Sequence, residues 1–298
     1  MSAIAMKPIS KEKVAWLQAT PMALVFAVFF LLPLLFVFIV SFWDYNDYEM
    51  IPTFTLRQYV QSFDGCITRL PALCTTFATY WETIKLCFLV WLITLLLGFT
   101  LAYFLAFHVK TTTWRIALSL LCTIPFWTSN VIRMIAWIPL LGRNGLVNAT
   151  LLKAGLISQP QEWLLYSEFS VVLALVHLFT FFMMVPILNS MLRIDPRLIE
   201  AARDAGASAW QTVWNVVVPL SKTGIVIGSI FVVTIVMGDF VTVGVMGGQQ
   251  IASAGKIIQA RLDALQFPAG AANAVLLLIA VLLMMRGLTR AVDIRKEL

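Results

Sequence analysis

Long apolar runs separated by short polar stretches fill the chain. A bilayer core is crossed by about 20 apolar residues at about 1.5 Å each. Six stretches meet that length: 21–43, 82–107, 115–139, 169–191, 223–246 and 270–291. The interior prolines Pro33, Pro125 and Pro186 are compatible with spans, because neighbouring helices and water can satisfy the freed carbonyls. The pattern predicts an all-α membrane protein. Its parts are an amphipathic cytoplasmic segment 1–20, a six-helix transmembrane domain 21–292 and a cytoplasmic tail 293–298. The first run exceeds the apolar region of a signal peptide and no small-residue cleavage site follows it, so it reads as a retained membrane helix. No internal repeat is visible.

Composition agrees with lipid as the solvent. The chain has 298 residues, 60% of them hydrophobic and 12% charged, with a mean hydropathy of +0.90. A soluble domain of this size cannot hide so much apolar surface. The net charge of +6 is scattered over loops with no basic stripe, which fits contact with anionic lipid and excludes a nucleic-acid groove. With the N-terminus in the cytoplasm, thirteen Lys and Arg fall on the inner side and seven on the outer, counting Arg133 as outer. This bias sets both termini and the loop 192–222 inside. Trp43, Trp81, Trp114, Trp137 and Trp163 recur near the expected interfaces, as an aromatic belt requires.

The loop before the fifth span is the most specified polar stretch. Asp195 suits an N-cap with Pro196 at the first helical position. Residues 198–205 are rich in helix formers, and Gly206 suits a left-handed C-terminal cap. Ser208 and Gln211 have the spacing of a capping box for a second helix. Trp210, Val213, Trp214 and Val217 would form one apolar stripe on that helix, and Pro219 would end it. An ordinary interfacial helix pair satisfies the same pattern.

The sequence EAARDAGASAWQTVWNVVVPL (200–220), with Gly206 four residues after Ala202 and Pro219 beyond an apolar stretch, resembles the EAA loop of ATP-binding-cassette (ABC) importer permeases. IPFWTSNVIRMIAWIPLLGRNGLVN (124–148) and FPAGAANA (267–274) resemble the polyamine branch of that family, the spermidine/putrescine permeases. The resemblance implies a type I, MetI-like bundle in a bacterial inner membrane. It implies that Glu200, Ala201, Ala202, Asp204, Gly206 and Ser208 form a coupling helix seated on an ATPase subunit. It also implies the partners: a second permease, two ATPase chains that hold ATP and Mg²⁺, and a periplasmic solute-binding protein.

Ionisable groups at membrane depth are candidates for function. Arg133 lies 18 residues beyond Arg115 and Asp239 lies 17 beyond Lys222, roughly 27 and 26 Å along a helix. The two could pair or face a solute passage, or each could meet water at the outer interface. His177 stands beside Thr180 and an aromatic run that includes Phe181. It is either a helix contact or part of a passage that holds an amine by cation–π attraction. Phe126, Trp127, Thr128, Ser129 and Asn130 form a second polar-aromatic cluster. GDFVTVGVMGG (238–248) resembles several importer branches, so permeases for opine, amino-acid-derived or phosphonate solutes stay open beside polyamine.

Cys66 and Cys74 share the first external loop, where an oxidising compartment would permit a disulfide or leave two free thiols. Cys87 and Cys122 fall inside spans as small core residues. The chain has no G-x-x-x-x-G-K-[ST] loop, so hydrolysis of ATP needs a separate chain. With two His and no H-E-x-x-H, a metal site is not expected, and neither is catalysis. A self-sufficient secondary transporter would need inverted repeats and matched broken helices, which the sequence does not display.

Overall fold

The computed structural model describes residues 11–46, 49–64, 66 and 74–290. Residues 1–10 of the N-terminal segment and the tail 293–298 lie outside them. The helices run α1 (Lys11–Phe26), a π-helical turn (Ala27–Leu31) and α2 (Leu32–Val40), then a two-stranded hairpin of β1 (Asp44–Tyr45) and β2 (Met50–Ile51). Next come α3 (Arg57–Ser62), α4 (Thr75–Tyr103) closed by a second π turn (Phe104–His108), α5 (Thr112–Trp127), α6 (Asn130–Leu141), α7 (Leu146–Lys153) and α8 (Glu168–Met191). Then follow α9 (Pro196–Asp204), α10 (Ala209–Thr212), a third π turn (Val213–Val217), α11 (Val218–Leu220) and α12 (Lys222–Gly238). The last elements are α13 (Val241–Met246), α14 (Ala254–Asp263) and α15 (Phe267–Arg290).

Among the described residues, four helices are long and apolar enough to cross a membrane, or five if one bent pair counts as a single span. Two of the six expected spans are interrupted. The third expected span, 115–139, is two helices that part at Thr128–Ser129, where Ser129 is extended at ψ 135°. Thr, Ser and Asn in sequence offer the backbone side-chain hydrogen bonds that compete with the helix. The fifth, 223–246, is interrupted at Asp239, which is extended at ψ 115°. Sequence hydropathy sees neither break, because apolar residues continue on both sides.

α8 is the centre of the core. α4 and α12 pack along it, and Met183, Met184, Ile187 and Met191 are buried almost completely. The helices approach closely because small residues lie at the crossings. A Cβ placed on Gly224 of α12 would stand 2.4 Å from the Pro186 carbonyl oxygen and 2.7 Å from Ser190 Cβ of α8. Polar side chains tie the helices where lipid gives no hydrophobic drive. Trp91 Nε1 donates to Ser229 Oγ at 2.8 Å between α4 and α12. Ser170 Oγ donates to the Met246 carbonyl at 2.8 Å. The N-terminus of α14 is held by the Ala254 amide donating to Thr83 Oγ1 at 2.9 Å.

The first span packs least. Along Gln18–Val40 only 6% of its most apolar window is buried, so in the isolated chain its surface waits for lipid or protein. Cys66 and Cys74 are joined by a disulfide with their Cα atoms 4.5 Å apart, while Cys87 is a buried free thiol and Cys122 a half-buried one.

Candidate coupling hairpin and solute passage

The loop between α8 and α12 folds as two capped helices. The Asp195 carboxylate accepts from the Arg197 amide at 3.0 Å, with Pro196 in the first turn. α9 closes with Gly206 at φ +82°, where the Gly206 amide donates to the Arg203 carbonyl and the Ala207 amide to the Ala202 carbonyl. This pair of bonds satisfies carbonyls that a helix end leaves orphaned. Ser208 and Gln211 then exchange reciprocal bonds: the Gln211 amide donates to Ser208 Oγ at 3.3 Å, and the Ser208 amide to Gln211 Oε1 at 2.7 Å. Glu200, Ala201, Asp204, Gly206 and Ser208 are exposed and Ala202 is half-buried. These residues present a short, internally satisfied surface.

Beyond Ser208 the sequence expectation fails in two ways. Pro219 does not end the helix: α11 runs through it and the break comes at Ser221, where the axis turns by 69° into α12. The apolar stripe also divides. Val217 is 1% exposed, but Trp210 and Trp214 are 69% and 53% exposed, edge to face at 5.6 Å. The cause is the π turn Val213–Val217. Its wider turn adds a residue between α10 and α11, so positions seven apart no longer share a face.

The polar groups of the spans gather at the two breaks. Asn130 and Asp239 line one cavity of about 390 Å³, with Met134, Ile235, Phe240 and Thr242 in its wall. The Asp239 carboxylate accepts from the Thr242 amide at 2.7 Å and from Thr242 Oγ1 at 2.8 Å, so it caps α13. Arg133 Nη2 donates to Asn130 Oδ1 at 2.5 Å and to the Thr128 carbonyl at 3.2 Å. Of the alternatives left open for Arg133 and Asp239, an ion pair is not the one formed: none joins them among the described residues. Among the described residues the ion pairs are Arg57–Asp44, Lys85–Glu82 and Arg143–Glu162. Each intramembrane charge instead serves the backbone of its own broken span.

His177 accepts at Nδ1 from Trp137 Nε1 at 3.2 Å, with the two rings at 84°. Trp137 therefore joins α6 to α8. Phe181 stacks on Phe126 at 5.5 Å, which joins the two aromatic clusters that were separate in sequence. Trp127 is 82% exposed and does not line the cavity. Thr242 and Trp137 were missed. The signal for Thr242 was local, since an Asp three residues ahead of a Thr inside an apolar run is an N-cap pattern. Nothing local marked Trp137.

A scan against models of protein families finds no match. The chain is 30% identical over 274 residues to the spermidine/putrescine transport system permease protein PotB of Haemophilus influenzae, covering 90% of this chain and 91% of that one. It belongs to the ABC importer permeases. PotB of Escherichia coli is 31% identical over 260 residues, covering 87% of this chain and 90% of that one. Among solved structures, the permease fold recurs in a bacterial ABC transporter that imports the acidic polysaccharide alginate. The TM-score is 0.69 at 17% identity, over 95% of this chain and 96% of that one. The apolar helices and the family together make this permease a multi-pass membrane protein.

Proposed function

We propose that this permease is the transmembrane subunit of an ATP-driven importer that passes a polyamine of the spermidine/putrescine class into the cytoplasm. The observation that carries the reading is the match to PotB along nine-tenths of the chain. The satisfied hairpin at 195–211 supports it. A lever must move without deforming, and every cap in this one is paired within itself. The chain is not itself catalytic; separate ATPase chains hold ATP and Mg²⁺. A second permease completes the passage, and a periplasmic binding protein delivers the solute. Both termini and the hairpin face the cytoplasm, by the excess of basic residues on that side.

The hairpin rides in a cleft on the ATPase through Glu200, Ala201, Ala202, Asp204, Gly206 and Ser208. Closure of the ATPase pair carries it as a rigid body, and the 69° bend at Ser221 transmits the motion to α12. α12 is packed on α8 and α4, so the spans rock together between outward-facing and inward-facing states. Asn130, Asp239 and the Phe126–Phe181 stack border the route. Asp239 offers negative charge to an amine, and the rings offer their faces.

The test is solute-stimulated ATPase activity in proteoliposomes holding the complete complex and the binding protein, screened over polyamines and opines. Stimulation by spermidine or putrescine is expected. Stimulation by opines alone would assign the solute elsewhere. Glu200→Lys should leave the chain in the membrane while uptake per ATP falls at least tenfold. Uptake at the wild-type ratio would remove the hairpin from the mechanism.

A further inference from the structure

The two halves of the hairpin differ in chemistry. α9 carries Arg197, Glu200, Arg203 and Asp204 among its nine residues and buries none of them. The stretch Ala209–Leu220, AWQTVWNVVVPL, holds no charged side chain. Thr212 and Val217 are buried in the body of the protein, while Trp210 and Trp214 stand 69% and 53% exposed, edge to face at 5.6 Å. Two large rings are thus left open on a helix that has no charge to hold it in water.

The direction of that helix sets its depth. Its axis stands 69° from that of α12, into which it leads at Ser221. Lys222 is exposed, and its charge marks the level at which α12 leaves the hydrocarbon. With α12 upright, the stretch Ala209–Leu220, rising about 1.5 Å per residue, descends only about 6 Å from that level. The headgroup layer of one leaflet is about 5–7 Å deep. Trp210 and Trp214 fall inside it, at about 6 and 4 Å by the same rise. Indole suits this layer, because the ring packs on the first acyl carbons while its N–H faces ester and phosphate oxygens. In open water the rings would have no apolar contact beyond each other.

We propose that Ala209–Leu220 lies in the headgroup layer of the inner leaflet, anchored to phospholipid by the Trp210–Trp214 pair. This rests on the reading above in which the hairpin faces the cytoplasm. The hairpin then works between two surfaces: α9 meets the ATPase, and α10 with its π turn meets lipid. The π turn serves the anchor, since it parts Trp214 from the buried Val217, which an unbroken α-helix would keep on one face.

The experiment reconstitutes the complete complex, with second permease, ATPase and binding protein, in vesicles of phosphatidylethanolamine and phosphatidylglycerol. The photoreactive residue p-benzoylphenylalanine replaces Trp210, Trp214 or, as a reference, Asp204. Adducts of phospholipid mass are expected from the two Trp positions, and an adduct with the ATPase chain from the Asp204 position. ATPase adducts and no lipid from the Trp positions would overturn the anchor and keep the hairpin on the ATPase. Lipid adducts from the Trp positions with no ATPase adduct from the Asp204 position would keep the anchor and sink the coupling reading. A second measurement decides the matter if the Trp positions react with nothing. The Trp emission lost in the double variant Trp210→Phe with Trp214→Phe is compared in plain vesicles and in vesicles of phosphatidylcholine brominated on the upper acyl chain. Bromine should cut that emission to about half or less, as expected for indoles at the interface. An emission that bromine leaves unchanged would overturn the proposal.

Discussion

Asp239 shows how one side chain answers two demands. Its carboxylate caps α13 through Thr242 and also lines the cavity with Asn130. Asn caps a helix about as well as Asp, so the two roles separate by substitution. Asp239→Asn should leave thermal stability within about 0.5 kcal/mol of wild type, as expected for near-equivalent caps, while polyamine uptake falls. Asp239→Ala should lose about 1 kcal/mol as well, the usual cost of a removed cap. Melting in detergent beside an uptake assay reads both, and unaltered uptake in the Asn variant would leave Asp239 a purely structural cap. Gly224 is a packing residue with no second role. An Ala there would bring Cβ to 2.4 Å from the Pro186 carbonyl oxygen, and overpacking of that kind costs about 1–3 kcal/mol. Gly224→Ala should lower the melting temperature even if the helices shift to receive it.

At the scale of elements, the π turn Val213–Val217 decides how the hairpin meets α12. A π turn amounts to an α-helix with one residue inserted. Inserting one more residue after Asn215, which is exposed, exceeds what the turn absorbs and should rotate α10 by about 100° relative to α11, from 3.6 residues per turn. The expected result is a complex that still forms and still hydrolyses ATP while uptake falls, because the hairpin surface would turn away from the ATPase cleft proposed for it. Wild-type uptake by the insertion variant would mean that the facing of the hairpin does not matter to transport. The π turns at Ala27–Leu31 and Phe104–His108 were equally invisible in the sequence. An apolar helix reads the same with or without an extra residue, since every face of it is apolar.

For the whole molecule, the open surfaces say what the chain lacks. The first span is scarcely covered, and among the described residues the Arg133 guanidinium of α6 makes no ion pair. The densely packed part is the α4–α8–α12 core. An assembly in which this core moves as a body between lipid, partner and ATPase matches that division. Outside the core, the disulfide between Cys66 and Cys74 closes a ring at a sequence separation of 8. In the chain-entropy description a ring of that size stabilises by about 2.5 kcal/mol. Mass spectrometry without reduction should find the two residues in one cross-linked peptide, and free alkylated thiols would contradict it.

The sequence alone determined the solvent of this chain, the rough position of its apolar helices and the capped hairpin between α8 and α12. These follow from hydropathy and from caps, which act over at most five residues. Asp195, Gly206, Ser208 and Gln211 behave as their local spacing requires because each satisfies a backbone group close beside it. Tertiary structure alone decided where the third and fifth spans break, which way Trp210 and Trp214 face, and that Arg133 and Asp239 do not meet. It also decided that Trp137 holds His177, forty residues away. Those outcomes depend on which helix packs beside which, and in an apolar run no residue's near neighbours carry that information.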